Sequence, residues 1–196
     1  MEQNILKFIK KNNSVKLEEI NAPKNKTLHF EGDECKKVGL IISGKVNIVS
    51  YFSGGQEVIY NELSKCQMFG SNLIFSSSPY FRGDVVAIED SIIGYISKEE
   101  LLRVLSSNQE FLELYLKQQS DFSKQLNFKI KLLTISSARD RILYYLTFYK
   151  NSISYKSVTK LAKELYLTRE SLSRTMYKMA KDNEIIIENK TITIKA

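Results

Sequence analysis

The sequence predicts an α+β chain: an N-terminal antiparallel β-roll, a long dimerisation helix, and a C-terminal winged helix-turn-helix. Three observations carry this reading. Short apolar runs separated by turn residues fill the region from about 26 to 97. The stretch from 108 to about 135 contains no Gly or Pro. The remaining residues hold three short amphipathic segments, then two β-branched runs around a polar turn. The boundaries expected are 1–107 for the roll, 108–135 for the long helix and 136–196 for the winged helix.

Residues 1–20 read as a short amphipathic helix, with Ile5, Leu6, Ile9, Val15 and Leu17 at roughly helical spacing. The runs Leu28–Phe30, Val38–Ile42, Val46–Phe52, Val58–Leu63, Val85–Ile88 and Ile92–Ile96 then follow one another. Gly32-Asp33, Ser43-Gly44-Lys45 and Ser53-Gly54-Gly55-Gln56 punctuate them. Regular turn signals between short β-branched runs predict an antiparallel roll. Ser97 is placed to cap a helix beginning at Lys98. The long stretch carries Phe111, Leu112, Tyr115, Phe122, Leu126, Ile130 and Leu133, several of them four or seven apart. As a helix it spans roughly 40 Å at about 1.5 Å per residue, more than one small domain readily covers. The stripe packs either on its own roll or against a second copy. Gln118, Ser120 and Gln125 among the apolar positions favour the dimer seam.

In the last third, Arg141 to Tyr149 is a strongly apolar helix, and Ser157 caps a second one carrying Val158, Leu161, Ala162 and Leu165. Leu167-Thr168 makes a tight turn. Thr168 caps a third helix, and Glu170 in its first turn suits the helix dipole. Leu172, Met176 and Met179 form that helix's inward face; Arg169, Glu170, Ser173, Arg174 and Lys178 lie on others. Ile185–Ile187 and Thr191–Ile194 flank Glu188-Asn189-Lys190 as a hairpin wing.

Composition narrows the function. The net charge is +7, and residues 136–196 carry 12 Lys/Arg against 6 Asp/Glu, whereas residues 1–135 are nearly balanced. A small domain with a concentrated positive field predicts a polyanionic partner. Neither Cys35 nor Cys66 has a Cys or His at metal-ligand spacing, and His29 is the single histidine. Both cysteines therefore read as core residues rather than a disulfide, a metal site or an iron-sulfur cluster. No nucleophile–base set, P-loop or metal cluster is visible, so no catalytic residue is assigned and an enzyme is not expected. No run is long and apolar enough for a membrane span, and the first residues lack a signal-peptide core, so a cytoplasmic location is expected.

A helix entering the major groove reads bases with side chains that match their edges. Arg bridges guanine O6 and N7, and Glu accepts from the cytosine amine. Arg169, Glu170, Ser173 and Arg174 are the candidate base readers. Thr159, Thr168, Ser171 and Lys190 are candidates for phosphate contact.

These residues resemble the CRP/FNR regulators, named for the cyclic-AMP receptor protein. The likeness covers nearly the whole chain. It is strongest in Thr168-Arg169-Glu170-Ser171-Leu172-Ser173-Arg174, in Asn189-Lys190-Thr191-Ile192, and in Gly32-Asp33, Ser43-Gly44-Lys45-Val46 and Phe69-Gly70. It implies a homodimer on a palindromic double-stranded DNA site, with RNA polymerase as a further partner. Tyr166 departs from the small residue, often Gly, that the family has near this turn. The effector positions depart further. Ser71 stands where cyclic-nucleotide binders carry the ribose-holding Glu. Phe81 and Arg82 replace the phosphate-holding Arg and hydroxyl pair, and Leu126 and Asn127 replace the adenine-holding Thr and Ser. A cyclic phosphate there would be a poorly compensated charge. A cyclic nucleotide is accordingly not expected; nor is haem, since His29 is the only histidine, nor an iron-sulfur cluster, which two isolated cysteines cannot supply. An altered pocket would draw on Phe52, Phe69, Gly70, Ser71, Phe75, Phe81, Arg82, Leu126 and Asn127, although the aromatic residues among them also read simply as core.

Overall fold

A computed structural model describes residues 4–12, 15–53 and 56–195. Of the expected features, Gly54 and Gly55 and parts of the N-terminal segment lie outside the described residues. The chain divides into two units, Met1–Asp121 and Phe122–Ala196.

In the first unit, α1 (Ile5–Asn12) buries Ile5, Leu6, Phe8 and Ile9. The helix expected across 1–20 does not reach that far. Glu18–Ala22 then form strand β1, which pairs with a later strand so that Glu18 faces Tyr95. Seven more strands follow: β2 (Thr27–His29), β3 (Lys37–Ser43), β4 (Lys45–Phe52), β5 (Gln56–Ser64), β6 (Met68–Phe69), β7 (Asp84–Ala87) and β8 (Ser91–Ser97). They make two four-stranded sheets, ordered β1-β8-β3-β6 and β2-β7-β4-β5, with every pairing antiparallel. Val38, Leu40, Ile41, Val46, Val85, Ala87, Ile93 and Ile96 fill the core. Gly39 leaves room for the Phe69 ring, since a Cβ there would lie 2.0 Å from ring carbon Cζ.

The Ser97 hydroxyl accepts from the Glu100 N–H and caps α2 (Lys98–Ser107), as expected. The long helix is α3 (Gln109–Thr134). Two residues assigned to its dimer stripe belong elsewhere. Phe111 and Tyr115 are buried in the core of the first unit, Phe111 against Phe8 with ring centroids 5.2 Å apart. A helical stripe shows which residues share a face, but not what covers each turn of it. Leu126, Ile130 and Leu133 do stay uncovered, at 48, 52 and 52% exposure.

The second unit holds α4 (Ala138–Phe148), β9 (Ser152–Ser154), α5 (Val158–Glu164), α6 (Arg169–Lys181), β10 (Ile185–Glu188) and β11 (Thr191–Ile194). Phe128 and Leu132 of α3 join Ile142, Leu146, Leu161, Leu172, Met176, Met179, Ile185 and Ile192 in its core. The wing is three-stranded, ordered β10-β11-β9, rather than a bare hairpin. Ser152 and Ser154 in β9 are tied to Thr193 and Thr191 by hydroxyl–hydroxyl bonds of 2.9 Å. Three residues were too few for a strand signal in the sequence. Asn189 and Lys190 both have positive φ, 46° and 59°, the backbone a tight two-residue hairpin demands.

Candidate nucleic-acid interface

Two capped helices and a turn build the head. The Ser157 hydroxyl accepts from the Lys160 N–H at 3.1 Å, starting α5. The Thr168 hydroxyl accepts from the Ser171 N–H at 3.1 Å, starting α6. Between them Leu165 is buried and Tyr166 turns the chain at φ 52°, after which the Leu167 N–H donates to the Ala162 carbonyl at 2.9 Å. A left-handed tyrosine costs about 1–2 kcal/mol, so the turn needs support from outside.

Arg141 supplies it. Its Nη1 donates to the carbonyls of Tyr166 (2.8 Å) and Leu165 (3.2 Å), while Nε (3.0 Å) and Nη2 both donate to the Ile135 carbonyl. One guanidinium thus joins the segment before α4 to the turn before α6. The sequence reading missed this role. Its signal was an arginine in the first turn of an apolar helix, where the dipole disfavours a cation.

α6 separates its faces sharply. Leu172, Met176 and Met179 are buried. Arg169, Glu170, Ser173 and Arg174 are all exposed, and none has an ion-pair or side-chain hydrogen-bond partner among the described residues. Glu170, Ser173 and Arg174, spaced three and four apart, share one surface. The same surface continues to Tyr177, 74% exposed, which the sequence reading also passed over. Of the phosphate candidates, Thr159 and Lys190 are exposed on α5 and in the wing turn, and Ser171 is half-buried. The hydroxyl of Thr168 is engaged as an acceptor by its cap.

Phe69 and Phe81 are buried around His29, which lies on β2 at the edge of its sheet. The His29 ring stacks on Phe81 at 4.5 Å, and His29 Nε2 and the Tyr95 hydroxyl are 3.0 Å apart. Burial lowers the His29 pKa, partly opposed by Asp33. Burial, then Glu18, pushes Tyr95 up to about 12. Gly70 has φ +76, and a Cβ there would lie 2.8 Å from Cys35 Sγ. The Cys35 thiol faces the Gly70 and Lys37 carbonyls, and burial pushes its pKa up to about 11, which keeps it unreactive. The Ser71 carbonyl accepts from the Tyr115 hydroxyl at 2.8 Å. Arg82 points outward and donates to Ser78 at 3.3 Å. Phe52 and Phe75 are exposed, and Leu126 and Asn127 lie exposed in the second unit. Phe81, which the sequence resemblance sets against the phosphate-holding Arg, stacks on His29 and offers no charge to a cyclic phosphate.

Among the described residues no group of three His, Cys, Asp or Glu could hold a metal ion, and no helix is long and apolar enough to cross a membrane.

Comparison with known proteins places this architecture. Residues 19–108 match the family described as the cyclic nucleotide-binding domain. A mutant of CooA from Carboxydothermus hydrogenoformans is similar in structure, with a TM-score of 0.70 at 19% identity, covering 100% of this chain and 93% of that one. A transcriptional regulator from Thermotoga maritima gives 0.57 at 28% identity, covering 65% of this chain and 97% of that one. The catabolite activator protein of Thermus thermophilus gives 0.53 at 20% identity, over 91% and 85%. Sequence comparison with curated proteins gives no match.

Proposed function

We propose that this chain, which joins a cyclic nucleotide-binding-family domain to a winged helix-turn-helix in the CRP/FNR fold, is a transcription regulator that binds a palindromic DNA site as a homodimer. The observation that carries this reading is the outer face of α6: Arg169, Glu170, Ser173 and Arg174, exposed and, among the described residues, unpaired, on a capped helix of the kind that enters a major groove. Arg and Glu there have the forks and acceptors that guanine and cytosine edges need. Thr159, Ser171 and Lys190 are the phosphate contacts in this reading, and the Thr168 hydroxyl serves first as the cap. The basic excess of residues 136–196 supplies the attraction and makes binding salt-dependent. Leu126, Ile130 and Leu133, spaced four and three on α3, form a heptad seam for the second copy. A dimer then presents two heads about 34 Å apart, one helical turn of DNA. The aromatic cluster in the roll supports an effector other than cyclic AMP.

Selection of bound sequences from a random DNA pool tests this. The wild-type chain enriches a palindrome, while Glu170→Ala and Arg174→Ala bind but lose the preference. Enrichment of the same palindrome by both variants would defeat the assignment of α6 as the reading helix.

A further inference from the structure

The sequence motif ends at Arg174, but the exposed surface of α6 does not. Tyr177 follows Glu170 by seven residues, which brings it back to within about 20° of the same angular position, almost two turns further on. It follows Arg174 by three and Ser173 by four. The buried residues Leu172, Met176 and Met179 hold the opposite side, so Tyr177 cannot turn inward without displacing the core. Its ring is 74% exposed, the largest value among the exposed large hydrophobic residues, and it has no hydrogen bond, ring contact or ion pair among the described residues. A bare aromatic ring on a helix surface has a hydration cost with nothing in the monomer to offset it.

We infer that Tyr177 is a further specificity-determining residue, whose ring packs on a thymine 5-methyl group beyond the base pairs read by Glu170 and Arg174. The inference rests on the DNA-binding reading above and extends it. Seven residues of helix advance about 10 Å, close to three base-pair steps of about 3.4 Å. At that distance Tyr177 faces the groove floor along the line set by Glu170, whereas Lys181 and Lys178 lie about 40° and 100° round the helix on one side of it. Tyrosine has no planar fork for a purine edge. The apolar group on the major-groove floor is the thymine methyl, which aromatic and aliphatic side chains contact. The phenolic tip remains free for water.

The test uses the full chain and the palindrome it selects. Each thymine of a half-site is replaced in turn by deoxyuridine, which removes the methyl and nothing else. The wild type loses about fourfold in affinity at one position per half-site, the effect of burying one methyl-sized group. Tyr177→Ala shows the weaker affinity on both DNAs and no penalty at that position, and Tyr177→Phe behaves as wild type. An unchanged deoxyuridine penalty in Tyr177→Ala overturns the inference. So does a Tyr177→Phe defect as large as that of Tyr177→Ala without any methyl dependence, which marks a phosphate contact through the hydroxyl. In both cases the regulator reading stands. A wild-type chain that selects no palindrome overturns that reading, and this inference with it.

Discussion

Replacing Arg141 by alanine removes the guanidinium that binds the carbonyls of Ile135, Leu165 and Tyr166. The size of the loss follows from which acceptors water can reach. The bonds to Ile135 and Leu165 are part-buried, whereas the Tyr166 bond is exposed. A hydrogen bond from a charged donor contributes about 1.5–3 kcal/mol. Taking the lower figure for the two part-buried acceptors, and none for the third, gives about 3 kcal/mol. The strain at Tyr166, φ 52°, then loses its restraint. Arg141→Ala should lower the opening free energy of Leu161 and Leu172 amides by about this amount in native-state hydrogen exchange. Arg141→Lys should recover less than half, because a compact ammonium cannot span three carbonyls. DNA affinity should fall in the same order. Exchange in the alanine variant within about 0.5 kcal/mol of wild type would refute the clamp, since surface substitutions fall in that range.

Gly39→Ala forces a Cβ into the Phe69 ring and should cost about 2–3 kcal/mol in chemical denaturation. Gly32→Ala meets nothing within 4 Å and carries only its positive-φ strain, about 1–2 kcal/mol; a larger loss at Gly32 than at Gly39 counts against this ranking. The folded-state pKa of His29 lies below its ordinary 6.5, so on acidification the unfolded chain takes the proton first. Stability from this site is full above about pH 6.5 and declines as pH falls toward the lower folded-state value. The melting temperature should therefore drop more between pH 7.5 and 5.5 in wild type than in His29→Gln, and equal slopes argue against it. Ile130→Asp on the α3 seam should yield a monomer by light scattering and lose binding to a full palindrome while the second unit stays folded; a stable dimer would disprove the seam.

The sequence alone determined what is local. Serine and threonine caps, the period of the apolar residues, the turn glycines and the Thr168–Arg174 motif each act within a few residues, so the α+β class, the roll and the two-faced helix α6 were legible. β1 was hidden because Val15 and Leu17 continue the helical spacing of Ile5, Leu6 and Ile9. β9 was hidden because three residues carry no period. Only the tertiary structure decided the contacts between distant positions. It placed Phe111 and Tyr115 in the core instead of the seam and closed an aromatic cluster on His29. It also joined Arg141 to a turn 25 residues away and left Tyr177 bare. Periodicity fixes which side of an element a residue occupies, but what covers that side depends on chain brought there by folding.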